Sequence, residues 1–159
     1  MSEPSIRFAV ANDAATIHGF ICGLAAYERE PDAVKVTVDD LKQQLDSERP
    51  PFECLLADQD GEARGIALFF HNYSTWRGRR GIFLEDLYVP PEHRGRGIGF
   101  ALLRRLGQIA LERGCARVEW QVLDWNQPAI DFYEALGAKA MSEWRLFRLT
   151  DDPLRRLGA

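Results

Sequence analysis

Cysteine is scarce in this chain, and its three cysteines, Cys22, Cys54 and Cys115, lie far apart. No two of them form a CxxC pair or a spacing typical of metal ligands, so we expect no metal site. An odd number of widely spaced thiols is typical of a protein that stays reduced inside the cell. The N-terminal residues also lack the basic-then-apolar pattern of a signal peptide. We therefore expect a cytoplasmic protein.

Long apolar stretches are also missing. The longest run, which ends at residues 67–70, is far too short to cross a bilayer, so we do not expect a membrane protein. A hydrophobic content of 46% and a charged content of 28% are those of a soluble globular protein. A length of 159 residues is that of one ordinary domain. We therefore predict a single domain over residues 1–159.

Positive charge is in the minority, and the net charge of −4 argues against a general nucleic-acid binder. The charge is also uneven. Residues 1–62 contain thirteen acids and five basic residues, whereas residues 63–159 contain eleven acids and fifteen basic residues. This asymmetry suits one region that receives a cation and another that receives phosphates, although ordinary surface charge explains it as well.

Hydrophobic periodicity predicts a mixed α/β sheet with the element order β-α-α-β-β-β-α-β-α-β. The predicted helices lie at about residues 12–24, 38–45, 97–113 and 128–136. The predicted strands lie at residues 6–10, 52–57, 62–73, 82–89, 118–122 and 144–149. The strand at 82–89 is strongly apolar, which favours a central position in the sheet.

A glycine-rich loop, Arg94-Gly95-Arg96-Gly97-Ile98-Gly99, leads from that strand into the long helix. Glycine lets the backbone approach a ligand closely, and a helix N-terminus offers unpaired N–H groups to a pyrophosphate. Arg94 and Arg96 would add charge-assisted hydrogen bonds. Many strand-to-helix turns need glycine only in order to turn, so the glycines alone leave that alternative open.

Two other known nucleotide-binding loops fit this sequence less well. The G-x-x-x-x-G-K-[ST] pattern of the P-loop is absent. A dinucleotide-binding fingerprint follows the first strand of a βαβ unit and has an acid about 20 residues further on. Glu119 keeps that alternative open, but this loop follows the fourth predicted strand.

Three segments of the chain resemble the acetyl-CoA-binding core of the GNAT N-acetyltransferases. They are Phe83-Leu84-Glu85-Asp86-Leu87-Tyr88-Val89, the glycine-rich loop, and residues 125–138, which include Trp125-Asn126-Gln127-Pro128 and Ile130-Asp131-Phe132-Tyr133. Within that superfamily the chain is similar over nearly its whole length to the diamine (spermidine/spermine) acetyltransferases, above all to their thialysine-acetylating branch.

The resemblance implies the GNAT fold, a mixed, mostly antiparallel central sheet flanked by helices, with acetyl-CoA as the co-substrate. The pantetheine arm would bind the strand backbone like an added strand, and the glycine-rich loop would hold the pyrophosphate. The implied acetyl-CoA contacts are Leu87, Tyr88, Val89, Arg94, Gly95, Arg96, Gly97, Ile98, Gly99, Asn126 and Tyr133.

The chemistry needs a base and an acid, because an alkylamine with a pKa near ~10.4 is protonated at neutral pH and only the free amine attacks a thioester. Glu85 is the candidate general base, acting through a water, and Tyr133 is the candidate acid for the leaving thiolate. A surface acid at Glu85 and a packing role for Tyr133 stay open as alternatives. No covalent intermediate on the enzyme is needed.

The acceptor site implied by the resemblance contains Tyr27, Glu28 and Trp76, with Glu85 beside them. Asp86 follows Glu85 and is expected on the opposite face of the strand, where it either binds the amine or pairs with an arginine. Polyamine-acetylating members carry Asp-Pro before the tryptophan, whereas this chain has Ser74-Thr75. A lysine- or ornithine-like amine is therefore favoured over spermidine.

The sequence thus predicts an N-acetyltransferase that acts on a small cationic amine. A protein-lysine or N-terminal acetyltransferase is the second enzymatic hypothesis, and a non-catalytic acetyl-CoA-binding regulatory module is the third. The family resemblance also implies a homodimer, in which residues 144–149 pair across subunits.

Overall fold

A computed structural model describes residues 2–159. The chain divides into two compact units, Met1–Gln121 and Val122–Ala159. The described part of unit 1 contains the strands and helices β1 (Ser5–Phe8), α1 (Ala14–Tyr27), α2 (Val38–Asp46), β2 (Glu53–Gln59), β3 (Glu62–Ser74), β4 (Arg79–Tyr88), α3 (Ile98–Glu112) and β5 (Val118–Trp120). Unit 2 contains α4 (Gln127–Ala135) and α5 (Asp151–Leu157). Two compact units can belong to one domain, so the single domain stays a prediction.

The strands of unit 1 form one sheet in the order β1-β2-β3-β4-β5. All neighbours are antiparallel except the parallel pair of β4 and β5. The hairpin between β2 and β3 turns at Asp60 and Gly61, whose φ angles are 54° and 81°. Positive φ at both positions is what the favoured two-residue hairpin turn requires. The predicted mixed, mostly antiparallel sheet flanked by helices is confirmed.

The sheet has an apolar core on each face, because side chains alternate along a strand. Leu55 is fully buried in the core that contains Leu102 of α3. The next residue, Leu56, is fully buried in the core that contains Ile17 of α1 and Leu41 of α2. Burial of each such side chain stabilises the fold by about 1.5–3 kcal/mol. The helices therefore pack on both faces of the sheet.

The predicted strand at residues 144–149 does not form, and this expectation was wrong. These residues have no regular secondary structure, and no strand of the described chain pairs with them. An extended stretch without a neighbour lacks the ladder of hydrogen bonds that makes a strand. The helix α5, which follows it, was not predicted. Its charges suit the helix dipole, with Asp151 and Asp152 in the first turn and Arg155 and Arg156 in the last.

The remaining element boundaries differ from the predicted ones by a few residues. The strand β4 begins at Arg79 and not at residue 82, and β5 ends at Trp120 and not at residue 122. Over residues 2–159, no helix has both the length and the apolar character needed to span a bilayer.

Candidate active site

The strand β4 has a β-bulge at Glu85. Leu68 on β3 lies opposite Asp86, and the next residue, Phe69, lies opposite Leu84, so Glu85 has no residue of its own opposite it. A bulge bends its strand and re-aims the side chains around it, and bulges are frequent next to active sites. The candidate base therefore stands at the one irregular position in the pairing of β3 with β4.

The bulge also changes which side chains share a face of the sheet. Leu84 and Leu87 both lie against the core formed with α3, although they are three residues apart. Strict alternation would place them on opposite faces, so Glu85 and Asp86 together lie between them on the other side. The expectation that these two carboxylates point to opposite faces was therefore wrong, because one extra residue interrupts the alternation.

Three carboxylates come together where α1 ends. Burial, with the charges of Glu85 and Glu28 nearby, raises the pKa of Asp86 to about 6. Burial also raises the pKa of Glu28, which follows the last residue of α1. An arginine partner would lower the pKa of Asp86, so its pairing with an arginine does not fit the structure. Glu28, Glu85 and Asp86, which we call the acidic cluster, form a place that attracts a cation.

One edge of β4 is open beside this cluster. The strand β5 pairs with β4 only at Ile82, Phe83 and Leu84. Within the described part of unit 1, no strand pairs with β4 on that side beyond Leu84. Unpaired N–H and C=O groups at a strand edge are suited to bind an extended ligand as an added strand. The open edge includes Leu87 and Tyr88, two of the residues predicted to bind the pantetheine arm, and Val89 follows them.

The glycine-rich loop has the backbone that an anion site requires. Gly95 and Gly97 have φ angles of 76° and 77°, a region that residues with side chains rarely adopt. Gly97 is the N-cap of the 15-residue helix α3 and supplies no side-chain hydrogen bond to its first turn. The first N–H groups of α3 therefore lack a side-chain cap, and they add the positive end of the helix dipole. The side chain of Ile98 is buried in the core and anchors the helix, whereas residues 94–97 are exposed.

Arg94 connects the glycine-rich loop to two other elements. Its Nε donates a hydrogen bond of 2.8 Å to the carbonyl oxygen of Val89. Its guanidinium carbon lies 4.6 Å from the ring centre of Tyr27 and 5.9 Å from that of Tyr88. Tyr27 is the last residue of α1, next to Glu28 of the acidic cluster. The arginine predicted to contact phosphate thus also contacts a residue predicted to bind the amine.

Trp76 lies at a different place from the acidic cluster. It sits in the turn between β3 and β4, and it is 89% exposed. Ser74 pairs with Arg79 at that end of the hairpin, and Glu85 lies six positions further along β4 than Arg79. At about 3.3 Å per residue, this distance is roughly 20 Å along the strand. The structure therefore brings Tyr27, Glu28, Glu85 and Asp86 together and leaves Trp76 apart.

Two predicted residues belong to unit 2. Asn126 directly precedes α4, and its carbonyl oxygen accepts a hydrogen bond of 3.1 Å from the N–H of Ile130. Pro128 stands in the first turn, where its missing N–H has no cost. Tyr133 lies two turns further on in the same helix, with its ring centre 5.6 Å from that of Phe132. The rigid helix fixes the spacing of Asn126 and Tyr133.

The sequence profile of the Acetyltransferase (GNAT) family matches residues 20–138. This chain belongs to the GNAT acetyltransferase family. The resemblance seen in the motifs is confirmed, and GNAT acetyltransferases use acetyl-CoA as the acetyl donor. The bulge and the contact between Arg94 and Tyr27 were not predicted, because both join residues that are distant in the sequence.

Individual relatives agree with the family. The chain is 39% identical to the thialysine N-epsilon-acetyltransferase of Bos taurus over 168 residues, which cover 99% of this chain and 98% of that protein. It is 41% identical to an L-ornithine N5-acetyltransferase of Arabidopsis thaliana over 118 residues, or 73% of this chain and 52% of that protein. An integron cassette protein of V. cholerae has the same fold, with a TM-score of 0.82, 23% identity and 99% coverage of both chains.

Proposed function

We propose that this GNAT acetyltransferase moves the acetyl group of acetyl-CoA onto a primary amine of a small cationic metabolite. The acceptor is a thialysine-, lysine- or ornithine-like amino acid, or a diamine or polyamine. One observation carries the proposal: the acidic cluster and the open edge of β4 meet at Glu85–Tyr88, so a cation and an extended ligand would meet there. Two relatives are named for thialysine and L-ornithine, which supports a small amine.

The donor site consists of the open edge and the glycine-rich loop. Leu87, Tyr88 and Val89 would bind the pantetheine arm through their backbone groups. The positive φ angles of Gly95 and Gly97 and the uncapped start of α3 fit a pyrophosphate. Arg94 and Arg96 would supply positive charge. The family resemblance adds Asn126 and Tyr133 to the proposed contacts.

The acceptor site consists of Tyr27 and the acidic cluster. Glu28 and Asp86 attract the protonated amine, because burial strengthens their interaction with a cation. Trp76, in the turn before β4, lies so far from Glu85 that it would touch only a part of an acceptor remote from the reacting nitrogen. A contact at Trp76 therefore matters for a long polyamine and not for an amino acid.

The reaction transfers one acetyl group, removes two protons from the ammonium nitrogen and adds one to the leaving sulfur. Acetyl-CoA supplies a thioester carbonyl to the reaction. Glu85, through a water, removes the proton of the bound ammonium group, so that the nitrogen forms its bond to the carbonyl carbon. Backbone N–H groups of β4 stabilise the negative charge on the carbonyl oxygen. The carbon–sulfur bond then breaks, and Tyr133 donates a proton to the leaving sulfur. The nitrogen gives its second proton to the Tyr133 phenolate, and Glu85 releases the first one to solvent, so the products are the neutral amide and the thiol of coenzyme A.

The remaining family expectations stay part of the proposal. We propose a single-domain, cytoplasmic enzyme that works as a homodimer without a metal. Trp144, Leu146, Phe147 and Leu149 are exposed apolar side chains in the segment without secondary structure, which supports pairing with a second copy. Light scattering of Phe147→Asp against the unchanged protein tests the dimer.

Coenzyme A release over a panel of amines tests the function. The panel contains thialysine, lysine, ornithine, putrescine, spermidine, a lysine-containing peptide and a peptide with a free N-terminus. We expect the highest kcat/KM with the lysine- and ornithine-like amino acids and a large loss of turnover in Glu85→Gln. Preference for a peptide would favour the protein acetyltransferase. Acetyl-CoA binding without any coenzyme A release would favour the regulatory module.

A further inference from the structure

A side-chain hydrogen bond joins β3 to the turn that precedes the glycine-rich loop. Nη1 of Arg64 on β3 donates to Nε2 of His93 at 2.9 Å. Nη2 of the same guanidinium forms an ion pair of 2.8 Å with Glu62. His93 ends the short 3-10 turn Pro91–His93 and directly precedes Arg94. Arg64 thus contacts the turn before the loop through the ring of His93.

The hydrogen bond to Arg64 determines which nitrogen of the neutral His93 ring carries the proton. A guanidinium only donates, so Nε2 must be the acceptor and the neutral ring carries its proton on Nδ1. Among residues 2–159, Nδ1 of His93 is buried and has no hydrogen-bond partner. Arg64 therefore supplies the polar contact that holds this ring.

The residue after Arg64 holds the other end of the loop. A Cβ atom on Gly65 would lie 3.0 Å from Cγ2 of Ile98 and 3.2 Å from Cδ1 of Leu102. Both contacts are tighter than ordinary packing, so the absence of a side chain at Gly65 lets the first turns of α3 lie directly on β3. Arg64 and Gly65 thus fix the chain immediately before and immediately after residues 94–97.

The turn itself is short and internally bonded. The N–H of His93 donates to the carbonyl oxygen of Pro90 at 2.9 Å, and the N–H of Arg94 donates to that of Pro91 at 3.2 Å. A shift of the His93 ring therefore shifts the backbone at Arg94, where the exposed loop begins.

We propose that Arg64 is a positioning residue for acetyl-CoA: through His93 it holds the glycine-rich loop in the shape that receives the pyrophosphate. This inference rests on the proposed function, because it takes that loop as the phosphate site. It predicts a larger defect for acetyl-CoA than for the amine, since the acidic cluster lies on other residues and the loop meets the acceptor site only at the contact of Arg94 with Tyr27.

Arg64→Met removes the donor and keeps much of the aliphatic chain. We expect the KM for acetyl-CoA and the calorimetric Kd for coenzyme A ligands to rise about fivefold or more. The amine KM and the kcat at saturation should stay within about twofold of the values of the unchanged protein. Hydrogen exchange of the free protein should speed up at residues 94–99 and not in α2. Arg64→Lys, which keeps a donor, should restore part of the affinity. Arg105→Met is the matched control, because Arg105 also has a carboxylate partner, Glu112 at 3.0 Å, within α3.

The path through His93 is tested by a second variant. His93→Phe keeps a ring and loses the acceptor, so it should weaken coenzyme A binding as Arg64→Met does. The double variant should be no weaker than either single one, because both remove the same bond. If Arg64→Met does not fold at the assay temperature, Arg64→Lys and His93→Phe carry the comparison.

Unchanged Kd and loop exchange in Arg64→Met and His93→Phe would overturn the inference. An equal rise of the amine KM would also overturn it, because this would indicate a general structural defect. Gly97→Val separates it from the proposed function, since a side chain there strains the loop. Normal coenzyme A binding by Gly97→Val would show that the loop is not the phosphate site, and the proposed role of Arg64 would then be wrong as well. Weak coenzyme A binding by Gly97→Val together with normal binding by Arg64→Met would contradict only the proposed role of Arg64.

Discussion

The guanidinium carbon of Arg94 lies 4.6 Å from the centre of the Tyr27 ring. Arg94 opens the glycine-rich loop, and Tyr27 ends α1 beside Glu28. A guanidinium over an aromatic face at this distance is an attractive contact of about 0.5–2 kcal/mol. The proposed donor and acceptor sites are thus joined by one contact, and a change on the acceptor side should be felt on the donor side.

Tyr27→Leu removes the aromatic face and should raise the KM for acetyl-CoA roughly two- to tenfold, together with the KM for the amine. Tyr27→Phe keeps the face and should leave the acetyl-CoA KM close to that of the unchanged protein. Steady-state kinetics with each substrate varied in turn measures both constants. Tyr73→Leu, at an exposed position of β3, is the control. An acetyl-CoA KM that is unaltered in Tyr27→Leu would show that the contact does not matter for donor binding.

Asp86→Asn should stabilise the protein and weaken the binding of the amine. The pKa of Asp86 in the folded protein is about 6, above the ordinary 3.8, so its charge opposes folding above pH 6. At pH 7 the variant should therefore be more stable by about 1–3 kcal/mol. The penalty disappears as pH falls towards 3.8, so the gain should shrink between pH 7 and pH 4.5. Urea unfolding at both pH values measures it.

The companion measurement is the amine KM, which should rise in Asp86→Asn because the acidic cluster loses one charge. Asp124→Asn, at an exposed position of unit 2, serves as the control for both effects. The same gain in stability at pH 7 and at pH 4.5 would contradict the assignment of a raised pKa to Asp86.

Local patterns were sufficient for most elements and for the glycine-rich loop. Gly95 and Gly97 could be recognised because positive φ favours glycine, and α3 could be recognised because one apolar face repeats along it. The last strand was predicted from its apolar residues, but a strand also needs a neighbour, and residues 144–149 have none in the described chain. The helix α5 was missed because it is short and its signal is only the charge at its ends.

Features that depend on contacts between residues distant in the sequence could not be predicted from the sequence. The bulge at Glu85 is set by the register of β3 against β4, which moves both carboxylates to one face. No pattern links Arg64 with His93, because their bond depends on how the turn folds back over β3. The sequence did contain the residues of the acidic cluster, but the raised pKa of Asp86 depends on burial and on Glu28 from another element.

Two glycines of α1 should respond to alanine in opposite ways. A Cβ atom on Gly23 would lie 2.8 Å from Cε1 and Oη of Tyr88, whereas one on Gly19 would have no atom within 4 Å. Gly19→Ala should therefore raise the free energy of unfolding by about 0.5–1 kcal/mol through its better helix propensity. In Gly23→Ala the Tyr88 ring must move, at a cost of about 1–3 kcal/mol, so the net effect should be destabilising. Chemical unfolding of the two variants checks the signs.

Tyr133→Phe removes the proposed acid and keeps the ring. The kcat should fall by about tenfold to ten-thousandfold, because the thiolate then leaves without a proton donor. The Kd for acetyl-CoA should stay close to that of the unchanged protein, since the aromatic ring remains. Rapid-mixing kinetics separates the chemical step from binding and release, and calorimetry gives the Kd. An unchanged kcat would show that Tyr133 is not the acid. If the Kd rose while the kcat stayed unchanged, Tyr133 would only be a contact for acetyl-CoA.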